Sequence, residues 1–229
     1  MAGKAQVDGR LSNLEGTLAR ILDQRKQRSK LRVLKSSSLN ATDFSSNDFL
    51  SLSTNNEFRK DFLHELKAHV LPVGSTGSRL LDGNSKYAEQ LEQTIADFHG
   101  SENALLVGSG FDANVSIFTC LPQPEDIIIY DELIHASVHD GMRATRASTL
   151  LAFKHNCVTD FRKQLTSCLP LVNRQSVFVA VESVYSMDGD LAPMAEMVAI
   201  MKELVPSGDC HLIVDEAHAT GLYGHRGRG

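Results

Sequence analysis

The sequence has no surplus of basic charge: 23 lysines and arginines stand against 28 aspartates and glutamates, for a net charge of −5 over 229 residues. That removes the electrostatic footprint from which nucleic-acid binding draws its affinity, so a small-molecule partner is expected instead. Cysteine is scarce. Cys120, Cys157, Cys168 and Cys210 are widely spaced and form no CxxC, which argues against a disulfide framework and for four reduced, buried thiols in an intracellular protein. No apolar run approaches the ~20 residues of a bilayer span. There is no secretory signal pattern, and Asp8 and Glu15 near the start do not suit an acid-poor transit peptide. A cytoplasmic address without membrane attachment follows by default. Internal repeats and low-complexity segments are also missing, and so is any GxxxxGKS or GxxxxGKT phosphate loop.

What is present is length enough for one substantial core, burying roughly 70% of the unfolded surface, and a clear periodicity. Leu11, Leu14, Leu18, Ile21 and Leu22 recur at helical spacing, followed by basic Arg25, Lys26, Arg28, Lys30, Arg32 and Lys35. This predicts a helical arm over residues 1–45 with a solvated basic face and an apolar stripe that docks elsewhere. Residues 73–84 combine three glycines with small hydroxyls and read as a loop. Tyr87, Leu91, Ile95 and Phe98 mark one face of a helix that stops near Gly100. From there strands and helices alternate: strands at 103–107, 127–130, 149–153, 176–182 and 211–215, and helices at 112–121, through Val138 and Met142, at 159–168 and at 193–204. Pro193 suits a first helical position, and Met194, Met197, Val198, Met201 and Leu204 form a buried stripe. The alternation predicts an α/β domain over 46–229: three layers, with a mostly parallel sheet covered by helices on both faces.

Functional candidates collect at the expected carboxyl edge of that sheet, where α/β proteins hold ligands. His211 to Val214 read as a buried strand delivering Asp215 to the edge, with His218 three residues on. His135 and Ser186 also lie just past strand ends. The turn Gly108-Ser109-Gly110-Phe111 opens a helix, whose free N–H groups and positive end suit an anion. A strand-ending aspartate that caps a turn, and a glycine turn required only by tight packing, are the plainer readings of the same residues. A ligand using every group would carry a phosphate, a ring with a basic nitrogen and a phenolic oxygen, which describes pyridoxal 5′-phosphate (PLP). Two other chemistries fit less. Asp215-Glu216-Ala217-His218 spells a helicase box, but the phosphate loop such a motor needs is absent. His135 and His139 are four apart, yet lack the adjacent glutamate of a zinc hydrolase helix.

Asn47-Asp48-Phe49-Leu50-Ser51-Leu52, Gly77-Ser78-Arg79, Ser109-Gly110-Phe111, His135-Ala136-Ser137, Ser186 through Pro193 and Asp215 through Gly221 together resemble the α-oxoamine synthases of the fold-type I PLP enzymes. The likeness runs from about Leu22 to the last residue. It implies a PLP-dependent acyltransferase that condenses an acyl-CoA with a small amino acid and releases carbon dioxide. The loop Gly77 to Asn84 is most like the branch that joins a pimeloyl-CoA type thioester to L-alanine in biotin formation. Sister branches and a non-catalytic partner subunit are the alternatives. The resemblance further implies a homodimer, with the cofactor phosphate held by the backbone of Gly110 and Phe111. His135 would stack on the ring and Asp215 would pair with its nitrogen. Ser186 and His218 would hydrogen-bond the cofactor, and Arg32 would bind substrate; His135, Asp215 and His218 form the catalytic set. The family's cofactor-bearing lysine falls in a segment beyond Gly221 that has no counterpart here. The expectation is therefore the amino-terminal part of a longer enzyme, inactive alone.

Overall fold

A computed structural model describes residues 12–34, 41–69, 74–169 and 175–229. Leu11, Lys35 and Val73 of the segments above lie outside the described residues. The chain forms two units, 1–54 and 55–229.

In the first unit, α1 (Asn13–Gln27) starts at a reciprocal cap. Ser12 accepts the Glu15 N–H while the Glu15 carboxylate accepts the Ser12 N–H at 2.7 Å, which satisfies two of the donors that a helix start leaves orphaned. The stripe of Leu14, Leu18, Ile21 and Leu22 stays exposed.

The second unit is built on four parallel strands: β1 (Ile127–Asp131), β2 (Thr149–Phe153), β3 (Val177–Glu182) and β4 (Cys210–Asp215), in the order β2-β1-β3-β4. Strand parity sorts the core into two layers. Ile127, Ile129, Val177, Val179 and Val181 face Phe161 and Leu165 of α6 (Val158–Cys168) and Met197, Ile200 and Met201 of α7 (Met194–Leu204). Ile128, Phe178 and Ala180 face Phe118 of α4 (Gly110–Cys120) and Val138 and Met142 of α5 (Ala136–Arg143). All six residues of β3 are buried, as a strand covered on both faces requires.

The connections reverse direction after β2. The chain runs through α5 to β2 on one side, then crosses through α6 to β3 and on through α7 to β4 on the other. Right-handed crossovers put helices on opposite faces when the direction reverses. The carboxyl ends of β1 and β3 therefore flank a topological switch point, the crevice where open α/β sheets take ligands.

Helices α4 and α5 meet closely because Gly141 lacks a side chain. A Cβ there would lie 2.9 Å from the Phe118 Cβ and 3.1 Å from the Asn114 carbonyl oxygen. Gly141→Ala is expected to cost about 1–3 kcal/mol by overpacking, read as a lower denaturant midpoint with an unchanged m value.

Several sequence expectations need correction. Residues 103–107 form no strand; Leu105, Leu106 and Val107 are exposed, and the Leu106 N–H goes to the Glu92 carboxylate at 2.7 Å instead of a ladder. That carboxylate also takes the Arg79 guanidinium end-on, through its two terminal nitrogens, while the Arg79 Nε–H donates to Asn84 at 3.0 Å. The glycine-rich 74–84 loop is thus clasped to α3 (Lys86–His99). The hydrogen bonds from Arg79 and then from the Leu106 N–H hold the Glu92 carboxyl down at about 2. An unforeseen helix, α2 (Asn56–Ala68), begins at Asn55, whose side chain accepts the Glu57 and Phe58 N–H groups at 2.9 and 3.1 Å. Pro193 precedes α7 as its cap instead of opening it. The four cysteines are free, but Cys120 is exposed and Cys157 and Cys210 are only partly covered; burial, with Cys168 nearby, pushes the Cys210 thiol up to about 12. No helix among the described residues is long and apolar enough to cross a membrane.

Candidate active site

Three strand ends and one helix start supply the polar groups of the carboxyl edge. β4 ends at Asp215, whose two carboxylate oxygens have separate partners. Oδ1 accepts the Ala217 N–H at 2.9 Å, which folds the chain back as a turn. Oδ2 accepts from Asn114 Nδ2 at 2.7 Å. The backbone carbonyl of Asp215 accepts the Ser183 N–H at 2.9 Å, so β3 and β4 stay in register to their last pair, Glu182 and Asp215.

Asn114, on the second turn of α4, is 7% exposed. Its amide nitrogen also donates to Ser137 Oγ at 2.9 Å. Ser137 is fully buried, and its hydroxyl lies 2.7 Å from His135 Nδ1. His135 caps the start of α5, accepting the Ser137 N–H at the same nitrogen. A continuous chain thus runs from Asp215 through Asn114 and Ser137 to His135. The Phe111 ring meets the His135 ring edge-on, with centroids 6.1 Å apart.

Gly110 and Phe111 are the first two residues of α4, so their N–H groups have no carbonyl ahead of them within the helix. Ser109 caps the end by accepting the Asp112 N–H. The space at Gly110 is open: a Cβ there would meet nothing within 4 Å. Ser186 donates its backbone N–H to Glu182 Oε2 at 3.2 Å. Glu182 is buried, and its other oxygen has no partner among the described residues. Burial first, with the Asp215 charge adding to it, pushes the Glu182 carboxyl up; the Ser186 N–H, His135 and His218 oppose this. His218 is half-buried in the turn after β4. Arg32 lies exposed in the first unit.

The geometry therefore brings Asp215 and His135 into one hydrogen-bonded set and places Gly110, Phe111, Ser186 and His218 on segments of the same edge. The expectation that a strand precedes the Gly108–Gly110 turn fails, so the edge is served by three strand ends and not four. Among the described residues no group of three or more His, Cys, Asp or Glu is placed to hold a metal.

Sequence reasoning assigned no role to Asn114, Ser137 or Glu182. It also missed a second network. The fully buried Asp131, ending β1, accepts from His155 Nδ1, the Asn156 N–H and the Leu133 N–H, each at 2.9 Å. His155 Nε2 and Asn156 Nδ2 both reach Asp190 at 2.8 Å. The signal was available, since His155 follows β2 by two residues, much as His135 follows β1.

Known proteins resemble this chain in sequence and in fold. The family model for aminotransferase class I and II matches residues 40–228. The 8-amino-7-oxononanoate synthase of Emericella nidulans is 52% identical over 209 residues, covering 88% of this chain and 50% of that protein. The aminoacyl transferase sphA of Aspergillus fumigatus is 48% identical over 82% of this chain and 42% of that protein. The solved serine palmitoyltransferase of Sphingomonas wittichii superposes with a TM-score of 0.77 at 28% identity, covering 95% of this chain and 56% of that one. Related serine palmitoyltransferase structures hold PLP. The chain spans about half the length of the curated relatives it matches.

Proposed function

Because this chain belongs to the aminotransferase class I and II family, in its PLP-dependent α-oxoamine synthase branch, we propose that its carboxyl edge is the PLP site of an acyltransferase joining an acyl-CoA to a small amino acid. The observation that carries this reading is the Asp215-Asn114-Ser137-His135 chain beside the switch point. The donor set fits the group. A carboxylate fixed by two donors suits a protonated ring nitrogen, and an open helix start suits a phosphate. A buried Glu182 oxygen without a partner among the described residues leaves one polar contact for a ligand to make.

When bound, PLP supplies an electron sink at its protonated ring. Asp215 keeps the proton on the ring nitrogen by accepting a charge-assisted hydrogen bond. The N–H groups of Gly110 and Phe111 hold the phosphate at the positive end of α4. His135 would cover the ring face, and Ser186 and His218 would hydrogen-bond the cofactor; for Arg32, in the first unit, the family resemblance alone suggests a substrate carboxylate. The sheet orients these groups from below while α4 and α5 close one side.

Within that class the preferred reading is condensation of a pimeloyl-CoA type donor with L-alanine, as in biotin formation, by a homodimer. The 52% identity to an 8-amino-7-oxononanoate synthase favours it, and the 48% identity to an aminoacyl transferase keeps a serine palmitoyltransferase-like choice as the second reading. PLP titrated into the protein should give an induced circular dichroism band. Alanine, glycine and serine should then be offered with pimeloyl-CoA and palmitoyl-CoA to the full-length enzyme, since this chain is expected to be inactive alone, recording thiol release. Turnover confined to alanine and pimeloyl-CoA is expected; turnover confined to serine and palmitoyl-CoA overturns the biotin assignment, and no induced band overturns the PLP site.

A further inference from the structure

We propose that Asn114 is a positioning residue whose amide sets the direction of the whole hydrogen-bond chain, and so decides which nitrogen of His135 carries its proton. The argument rests on donor and acceptor counts. An ionised aspartate only accepts, so the Asn114 atom 2.7 Å from Asp215 Oδ2 is the NH2 group and not the amide oxygen. That nitrogen has two hydrogens. One goes to Asp215, and the other goes to Ser137 Oγ at 2.9 Å.

Ser137 Oγ, having accepted, keeps its single proton for the remaining neighbour, His135 Nδ1 at 2.7 Å. The Ser137 N–H also points at that nitrogen, at 3.2 Å. Nδ1 therefore faces two donors and carries no proton, which leaves the imidazole proton on Nε2. With Asn114 7% exposed and Ser137 fully buried, water has little access to supply an alternative partner. The consequence is a crevice of fixed polarity, with an acceptor at Asp215 and an N–H donor at the far side of the His135 ring. This deepens the PLP-site reading and rests on it for its functional meaning, but the proton placement is a property of the protein alone.

The test is nitrogen-15 NMR of the histidine rings in the ligand-free protein, above the pH at which its imidazoles titrate, with His135 assigned from a His135→Gln variant. The expected spectrum is that of a single Nε2–H tautomer. Asn114→Asp, nearly the same shape, offers Ser137 an acceptor in place of a donor. The serine proton is then drawn away from His135, and the pure Nε2–H pattern should be lost. PLP affinity should fall by about tenfold or more, because a second carboxylate beside Asp215 competes for its role. A wild-type spectrum with the proton on Nδ1 overturns the proposal, whether or not the variant folds. So does a folded Asn114→Asp with an unchanged His135 pattern. Failure of the wild-type protein to bind PLP, with the tautomer result as expected, would instead remove the cofactor reading and leave the proton placement standing.

Discussion

Asp215→Ala should weaken PLP binding by about 10- to 150-fold, the loss of one hydrogen bond to a charged group worth about 1.5–3 kcal/mol, while leaving the thermal unfolding midpoint nearly where it was. The asymmetry follows from the surroundings of the side chain. Asp215 is only half-buried at the last position of an edge strand, and its backbone contact to Ser183 survives the substitution. The carboxylate's own partners are one backbone N–H and one amide hydrogen of Asn114. The first borders solvent, and the Asn114 amide nitrogen keeps its bond to Ser137, so little is stranded in the core. The cofactor, by contrast, loses the only anion proposed to hold its ring proton. Asp215→Asn separates charge from shape: it should bind PLP nearly as poorly as the alanine variant. Fluorescence titration with PLP beside a thermal melt reads both quantities. Undiminished affinity in both variants would defeat the assignment of Asp215.

Much of this site was legible because strand ends are legible. The residues of β2, Thr149–Phe153, coincide with the sequence reading to the residue, and Gly100 ends α3 in a left-handed conformation at φ 69°, as a glycine stop should. Asp215 and His135 follow from the same rule: a short apolar run, then a polar residue with a side chain suited to chemistry. Ser137 belongs to the His135-Ala136-Ser137 motif and Asn114 lies one turn past Gly110, but periodicity is blind to what they do. Asn114 meets Asp215 across 101 positions and Ser137 across 23; the packing of α4 against α5, permitted by Gly141, brings Asn114 to Ser137, and the end of β4 supplies Asp215. The misread strand at 103–107 has the opposite cause. Leu105, Leu106 and Val107 satisfy the apolar criterion of a short strand, but tertiary context gives the Leu106 N–H a carboxylate instead of a neighbouring strand. Helix α2 carried both a cap at Asn55 and a stripe of Phe58, Phe62 and Leu66, a signal present and unread.

The second large effect is expected where three strand-end segments are clasped together. Asp131 is fully buried and accepts three hydrogen bonds, one of them from His155, which bridges to Asp190. The segment after β1 carries His135 and the segment after β3 carries Ser186, so this clasp also holds the frame of the proposed site. Both nitrogens of His155 face carboxylates, which favours the imidazolium, in contrast to His135 with its two donors at Nδ1. Burial pulls the His155 pKa down, but the hydrogen bonds to Asp131 and Asp190 and their charges together outweigh it, and the net shift is upward. Asp131→Ala would leave a partly buried cation and two backbone N–H groups without their acceptor. A cost of about 3–5 kcal/mol is expected, a large share of the roughly 5–15 kcal/mol of a typical domain. The pH dependence has a definite sign. A group that binds its proton more tightly folded than unfolded adds stability that is complete below about pH 6.5, the ordinary imidazole value, and is lost as pH rises through the raised folded value. Urea unfolding of the wild type should therefore show a midpoint that declines from pH 6 toward alkaline pH, and Asp131→Ala should start lower and lose most of that decline. Parallel pH profiles for the two proteins would show that the clasp does not carry the charge assigned to it.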